Sequence, residues 1–129
     1  ADIIGRCSDL FKFRDEYPIA FIAIGDNSLR KKYAALLREY HFLIPSIVSP
    51  AANISPGAVL GDGVVILPMA RVGEASIGDF SIIDSNGVVS SGARVGSFSH
   101  IDCGAIVQQR AHVKESTWVR SGEIYGDKL

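Results

Sequence analysis

The chain has 129 residues, 47% of them hydrophobic, which suits one globular domain or one domain with an appendage. Thirteen Lys and Arg against 14 Asp and Glu leave a formal net charge of -1, so there is no basic field to gather nucleic acid or an anionic membrane. Two cysteines make no disulfide framework, neither stands at metal-ligand spacing, and no apolar run reaches the length of a membrane span. The expectation is a cytoplasmic protein without a metal. The opening ADIIGRCSDL lacks the order of a signal peptide, and the missing Met points to a fragment or a processed product.

Along the chain, residues 1–46 read as mixed helix and strand. PIAFIAIG, residues 18–25, is a near-continuous apolar run ending at Gly25, the pattern of a parallel strand covered on both faces. Asp26, Asn27 and Ser28 follow with side-chain oxygens for the free amides of a helix start. Leu29, Tyr33, Leu36 and Tyr40 then mark an apolar helical stripe, and His41 stands where the last carbonyls need a cap. HFLIP, residues 41–45, reads as a return strand stopped by Pro45, giving a strand, loop, helix, strand unit.

From residue 47 the period changes to six. Aliphatic residues fall at Val48, Ile54, Leu60, Ile66 and Val72 and, after one five-residue step, at Ile77, Ile83, Val89, Val95, Ile101, Val107, Val113 and Val119. Small residues stand four positions after most of them, from Ala52 and Ala58 through Ser76 and Ser81 to Ala111 and Thr117, with Gly, Pro, Asp, Asn and Ser between. A hexapeptide period is the signature of a parallel β-helix, in which three hexads make one triangular coil. The aliphatic and the small residue both point inward because they lie two apart on a strand, and a narrow prism has room for one large side chain per hexad.

The residue between them must point outward, and positions 18 apart share a face. Val88, Ile106 and Ile124 form one apolar outward column, Ile82, His100 and Trp118 a second, while Arg94 and His112 lie on the third face. An external apolar column wants a partner surface.

The segments PIAFIAIGDN, LRKKY, IPSIVSPAA and the hexads through FSHIDCGAIV, within residues 18–120, resemble hexapeptide-repeat sugar acyltransferases, nearest to the UDP-4-amino-sugar N-acetyltransferases and the sialic acid O-acetyltransferases. That resemblance implies a left-handed parallel β-helix over residues 47–129, preceded by a partial α/β, Rossmann-like nucleotide-sugar segment over residues 1–46. It further implies a homotrimer, acetyl-CoA as cosubstrate in the groove between two prisms, and an amino sugar of a nucleotide sugar, or sialic acid, as acceptor in surface-glycan synthesis. On this likeness Ser91 stands at the position of the family's base, a His, and Gly92 at that of its acid. His100 matches a second His that contacts the acetyl or sugar group. Asp84 aligns with an Asn near the pantetheine groove, and the amide near Gln109 faces the thioester oxygen. The loop of Asp26 and Asn27 borders the nucleotide sugar, with Arg30, Lys31 and Lys32 as candidates for its phosphates.

Acyl transfer needs a base for the incoming nucleophile and a donor for the developing oxyanion. His100 is the candidate base, against the reading of an ordinary solvated surface His. Ser91 reads as a turn residue, since an unassisted hydroxyl is no base near neutral pH. Asp84 and Asp102 sit where turns favour small polar residues, and Cys103 reads as filler. His112 reads as surface. Two functions stay open: an active acetyltransferase, favoured by His100, and a catalytically impaired scaffold or partner subunit, favoured by the bare Ser91-Gly92 turn.

Overall fold

The computed structural model describes residues 2–126. Fourteen two-residue strands build a parallel solenoid whose ladders run along its axis. One sheet stacks β1 (Ile47–Val48), β4 (Val65–Ile66), β7 (Ile82–Ile83), β10 (His100–Ile101) and β13 (Trp118–Val119). A second stacks β2 (Asn53–Ile54), β5 (Arg71–Val72), β8 (Val88–Val89), β11 (Ile106–Val107) and β14 (Ile124–Tyr125). The third stacks β3 (Val59–Leu60), β6 (Ser76–Ile77), β9 (Arg94–Val95) and β12 (His112–Val113). The described residues thus make four full coils and two strands of a fifth.

The register is the one that an 18-residue coil dictates: His100 lies beside Ile82 and Trp118, and Ile106 beside Val88 and Ile124. Inside, the aliphatics from Ile66 to Val119 are buried among Ala70, Ala93, Ala105 and Ala111. Ser81 and Ser99 are fully buried without loss, because each hydroxyl donates to a carbonyl, of Gly96 at 2.9 Å and of Lys114 at 3.0 Å. At the five-residue step the structure corrects the small-residue position. Ala75 turns inward, while Ser76 opens β6 and stands in the outward column of Val59 and Arg94. Dropping one residue shortens the turn and leaves the strand phase intact.

The N-terminal segment carries a 3₁₀ turn, Cys7–Asp9, then α1 (Leu10–Phe13) and α2 (Asn27–Glu39). Asp26 caps α2 by accepting from the Leu29 amide at 2.8 Å. At the other end His41 serves through its backbone, in the left-handed region at φ 57, its N–H donating to the Arg38 carbonyl at 3.0 Å. The expected strand over residues 18–25 is reduced to one parallel bridge, Ile19 to Leu43. Two chain segments with no third ladder beside them propagate no sheet, and Ile19, Phe21 and Leu43 stay exposed. The buried face of α2 is also not the expected stripe. Arg30, Ala34 and Leu37 are buried, and Leu29 is exposed. Ala34 and Leu37 pack with Ile22 and Phe42 on Phe80 and Phe98, whose rings stack 5.3 Å apart at one corner of the prism.

Candidate active site

His100 opens β10 and points out of the first sheet, as the two-residue alternation requires. Asp84 follows Ile83 one coil lower and turns back along the corner, with its Oδ1 accepting the Ser85 amide at 2.6 Å. Its Oδ2 then lies 3.3 Å from Nε2 of His100, and both side chains are largely covered. A carboxylate only accepts, so the contact puts the imidazole proton on Nε2 and leaves Nδ1 as the basic nitrogen. A His held by a carboxylate in this way is able to act as a general base.

One coil higher the solenoid repeats the same relation. Asp102 stands 18 residues after Asp84 and Trp118 18 after His100, and the indole Nε1 donates to Asp102 Oδ2 at 3.0 Å. The Cys103 amide holds the Asp102 carboxyl below its usual pKa, against some desolvation, with help from the indole N–H and the nearby imidazole. The Cys103 thiol lies beside Asp84, and that contact, with desolvation and the two carboxylates, pushes its pKa up. Asp84, Asp102 and Cys103 present ligand atoms within 4.8 Å of one another. Their carboxylates are engaged by the amides of Ser85 and Cys103, by His100 and by Trp118.

His100 and Trp118 form one wall of a cleft of about 530 Å³, with Ser116 beside them and Gly25, Asp26, Asn27 and Ser28 opposite. The solenoid and the loop before α2 therefore enclose His100 together. Of the three expected sugar-binding residues, Asp26 lines this cleft, one of its oxygens being spent on the helix cap. Asn27 lines it too, but its Nδ2 donates to the Ser116 carbonyl at 3.3 Å and its Oδ1 accepts from Arg30 at 2.6 Å. Arg30 is placed elsewhere than expected for a phosphate ligand. It is 1% exposed, and its guanidinium donates to the carbonyls of Phe80, Ile24, Gly25, Phe98 and Ser99 as well as to Asn27. Burial lowers its pKa and the Asp26 charge opposes the shift. Arg30 thus pins the cleft loop to the strand that carries His100. Lys31 pairs with Glu115 across the same junction.

Ser91 and Gly92 lie away from His100, at the corner between the second and third sheets. Ser91 Oγ accepts the Glu74 amide at 3.2 Å, and Gly92 adopts φ +78. Gln109 is exposed at the same corner, one coil above. Within one chain the expected residues thus fall into two places, His100 with Asp84 at the cleft and Ser91, Gly92 and Gln109 at another corner. The Asp84–His100 pair and the cleft role of Trp118 went unread in the sequence, although an 18-residue coil with a carboxylate 16 before each ring was there to be found.

No family model matches the chain. Among solved structures it is similar to a His-to-Asn mutant of perosamine N-acetyltransferase from Caulobacter crescentus, in complex with CoA and GDP-perosamine, with TM-score 0.82 and 25% identity over 100% of this chain and 71% of that one. A His-to-Ala mutant of the same enzyme, with the same two ligands, matches at TM-score 0.77 and 26% identity over 98% and 70%. The acetyltransferase domain of PglB from Neisseria gonorrhoeae shares the fold at TM-score 0.59 and 22% identity, over 95% and 70%. The structural neighbours are therefore sugar acetyltransferases, in agreement with the likeness that the motifs carry.

Proposed function

We propose that the chain is an acetyl-CoA-dependent N-acetyltransferase for an amino sugar carried on a nucleoside diphosphate. The observation that supports it most is the Asp84-backed His100 in a cleft walled by both the solenoid and the loop before α2. His100 Nδ1 takes a proton from the acceptor amine as nitrogen forms a bond to the thioester carbon. The tetrahedral oxyanion needs an amide donor, the part assigned to the Gln109 turn. The carbon–sulfur bond then breaks and CoA leaves, the imidazolium returning the proton to the thiolate.

The reading takes the left-handed sense of the fold, the nucleotide-sugar role of residues 1–46 and the transferase role of residues 47–129 from the family resemblance, together with a cytoplasmic setting. It also includes the homotrimer. Within one chain the corner of Ser91, Gly92 and Gln109 lies away from His100, so a site that uses both needs a second copy, and the outward column of Val88, Ile106 and Ile124 would give such a boundary its apolar surface. A scaffold or partner role is the second reading, favoured by Ser91, a hydroxyl that accepts the Glu74 amide at the position of the family's basic His.

The test is incubation with acetyl-CoA and GDP-perosamine, a substrate named with the neighbouring enzymes, followed by mass spectrometry of the sugar. The N-acetyl product, with a melting temperature that rises with CoA concentration, supports the enzyme. No product and no shift with millimolar CoA would leave the scaffold.

A further inference from the structure

Trp118 is the chain's one tryptophan. It is 50% exposed, although aromatic side chains of this size usually bury most of their surface. Its exposure is not looseness. The indole N–H is held by Asp102, whose other oxygen is fixed by the Cys103 amide at 2.7 Å, and the Arg120 guanidinium lies 4.3 Å from the ring centroid. The ring runs within 13° of parallel to the His100 imidazole, 6.2 Å away. The indole is therefore prepositioned at the mouth of the cleft, one coil above His100, with a guanidinium over its ring that a stacking ligand would displace.

The opposite wall has a different chemistry. Gly25 offers no side chain, and a Cβ there would meet nothing within 4 Å, so the wall is open. Asp26 and Ser28 beside it carry oxygens that accept hydrogen bonds from hydroxyls or ammonium groups. An aromatic plane facing a polar rim matches a pyranose, which has a face of C–H bonds and a rim of polar substituents. The electron-rich face of indole attracts polarised C–H groups and cations.

We propose that Trp118 is the acceptor-sugar platform, a specificity residue that seats the apolar face of an amino-deoxy pyranose and presents its amine to His100. This rests on the acetyltransferase reading for the purpose of the seat, but not for its existence. A pyranose on the indole has a ring substituent within reach of an imidazole 6.2 Å from the ring centre. The asymmetry also sets which substrate is affected: the seat holds the sugar and has no role in holding acetyl-CoA.

Because Trp118 is the sole indole, its emission reports the seat directly, with or without turnover. Titration with GDP-perosamine should change the emission saturably, while GDP alone should not. Trp118→Ala should raise KM for the amino sugar about tenfold and leave KM for acetyl-CoA unchanged. Trp118→Phe keeps a ring and loses only the bond to Asp102, so it should recover most of that loss. A saturable emission change without any acetylation would uphold the seat and refute the acetyltransferase reading. Emission that ignores GDP-perosamine, or that responds equally to GDP, would overturn the seat, as would a Trp118→Ala effect on acetyl-CoA instead. Should Trp118→Ala fail to fold, the wild-type titration alone decides.

Discussion

Arg30→Met removes the guanidinium and keeps an unbranched apolar stem, so it tests whether α2 is fastened to the prism by hydrogen bonds or by packing alone. Six hydrogen bonds disappear, to Phe80, Ile24, Gly25, Phe98, Ser99 and Asn27. Ser99 keeps the Ile82 amide at 2.9 Å as a donor to its carbonyl. The carbonyls of Phe80 and Phe98 lie under α2 in the buried junction, and each orphaned buried acceptor costs roughly 1–3 kcal/mol. Sparing the desolvation of a cation offsets part of that, and the expected net loss is about 3 kcal/mol. Urea unfolding at fixed protein concentration measures it. The same variant should raise KM for the amino sugar, since the Gly25–Ser28 wall loses its tether. Arg30→Lys, with one point donor in place of the planar fork, should recover less than half. A loss below about 1 kcal/mol for Arg30→Met would refute the fastening, because that is the low end for a single orphaned carbonyl.

Gly78→Ala should destabilise by about 1–3 kcal/mol, because its Cβ would stand 2.4 Å from the Ser97 backbone nitrogen one coil away, while Gly25→Ala, with nothing within 4 Å, should leave urea unfolding unchanged. The raised pKa of Cys103 comes first from its contact with Asp84, so Asp84→Asn should lower it, and alkylation of Cys103 at pH 8 should speed up as its thiolate fraction grows; an unchanged rate would contradict the contact. Ile106→Glu should lower the number of chains per particle at sedimentation equilibrium from three, and a wild-type monomer at micromolar concentration would remove the trimer.

The prism was legible because a period of six leaves no freedom: once Ile83, Ile101 and Val119 point inward, His100 and Trp118 must point outward on one face. Ser76 reads as the inward small residue because counting four from Val72 carries the count past the deleted residue, and only the backbone shows that Ala75 takes that place. Arg30 was misread for a physical reason. A charged residue on a helix is normally solvated, and its burial depends on carbonyls of Phe80 and Phe98 that lie far away in sequence. The strand at residues 18–25 failed because apolar composition was taken for a ladder, and a ladder needs neighbours that the described residues do not supply. At the site, the outward phase of His100 was legible in the period. Its partnership with Asp84 was missed because turn aspartates are common, and Cys103 looked like filler for the same cause.

The central claim is that His100, oriented by Asp84, takes the proton of the acceptor amine. The direct measurement is thiol release from acetyl-CoA with GDP-perosamine as acceptor, by wild type and His100→Ala. The account predicts a fall in kcat of roughly 10²–10⁴-fold with KM for acetyl-CoA unchanged, the usual share of a general base. Equal kcat for the two proteins would contradict it.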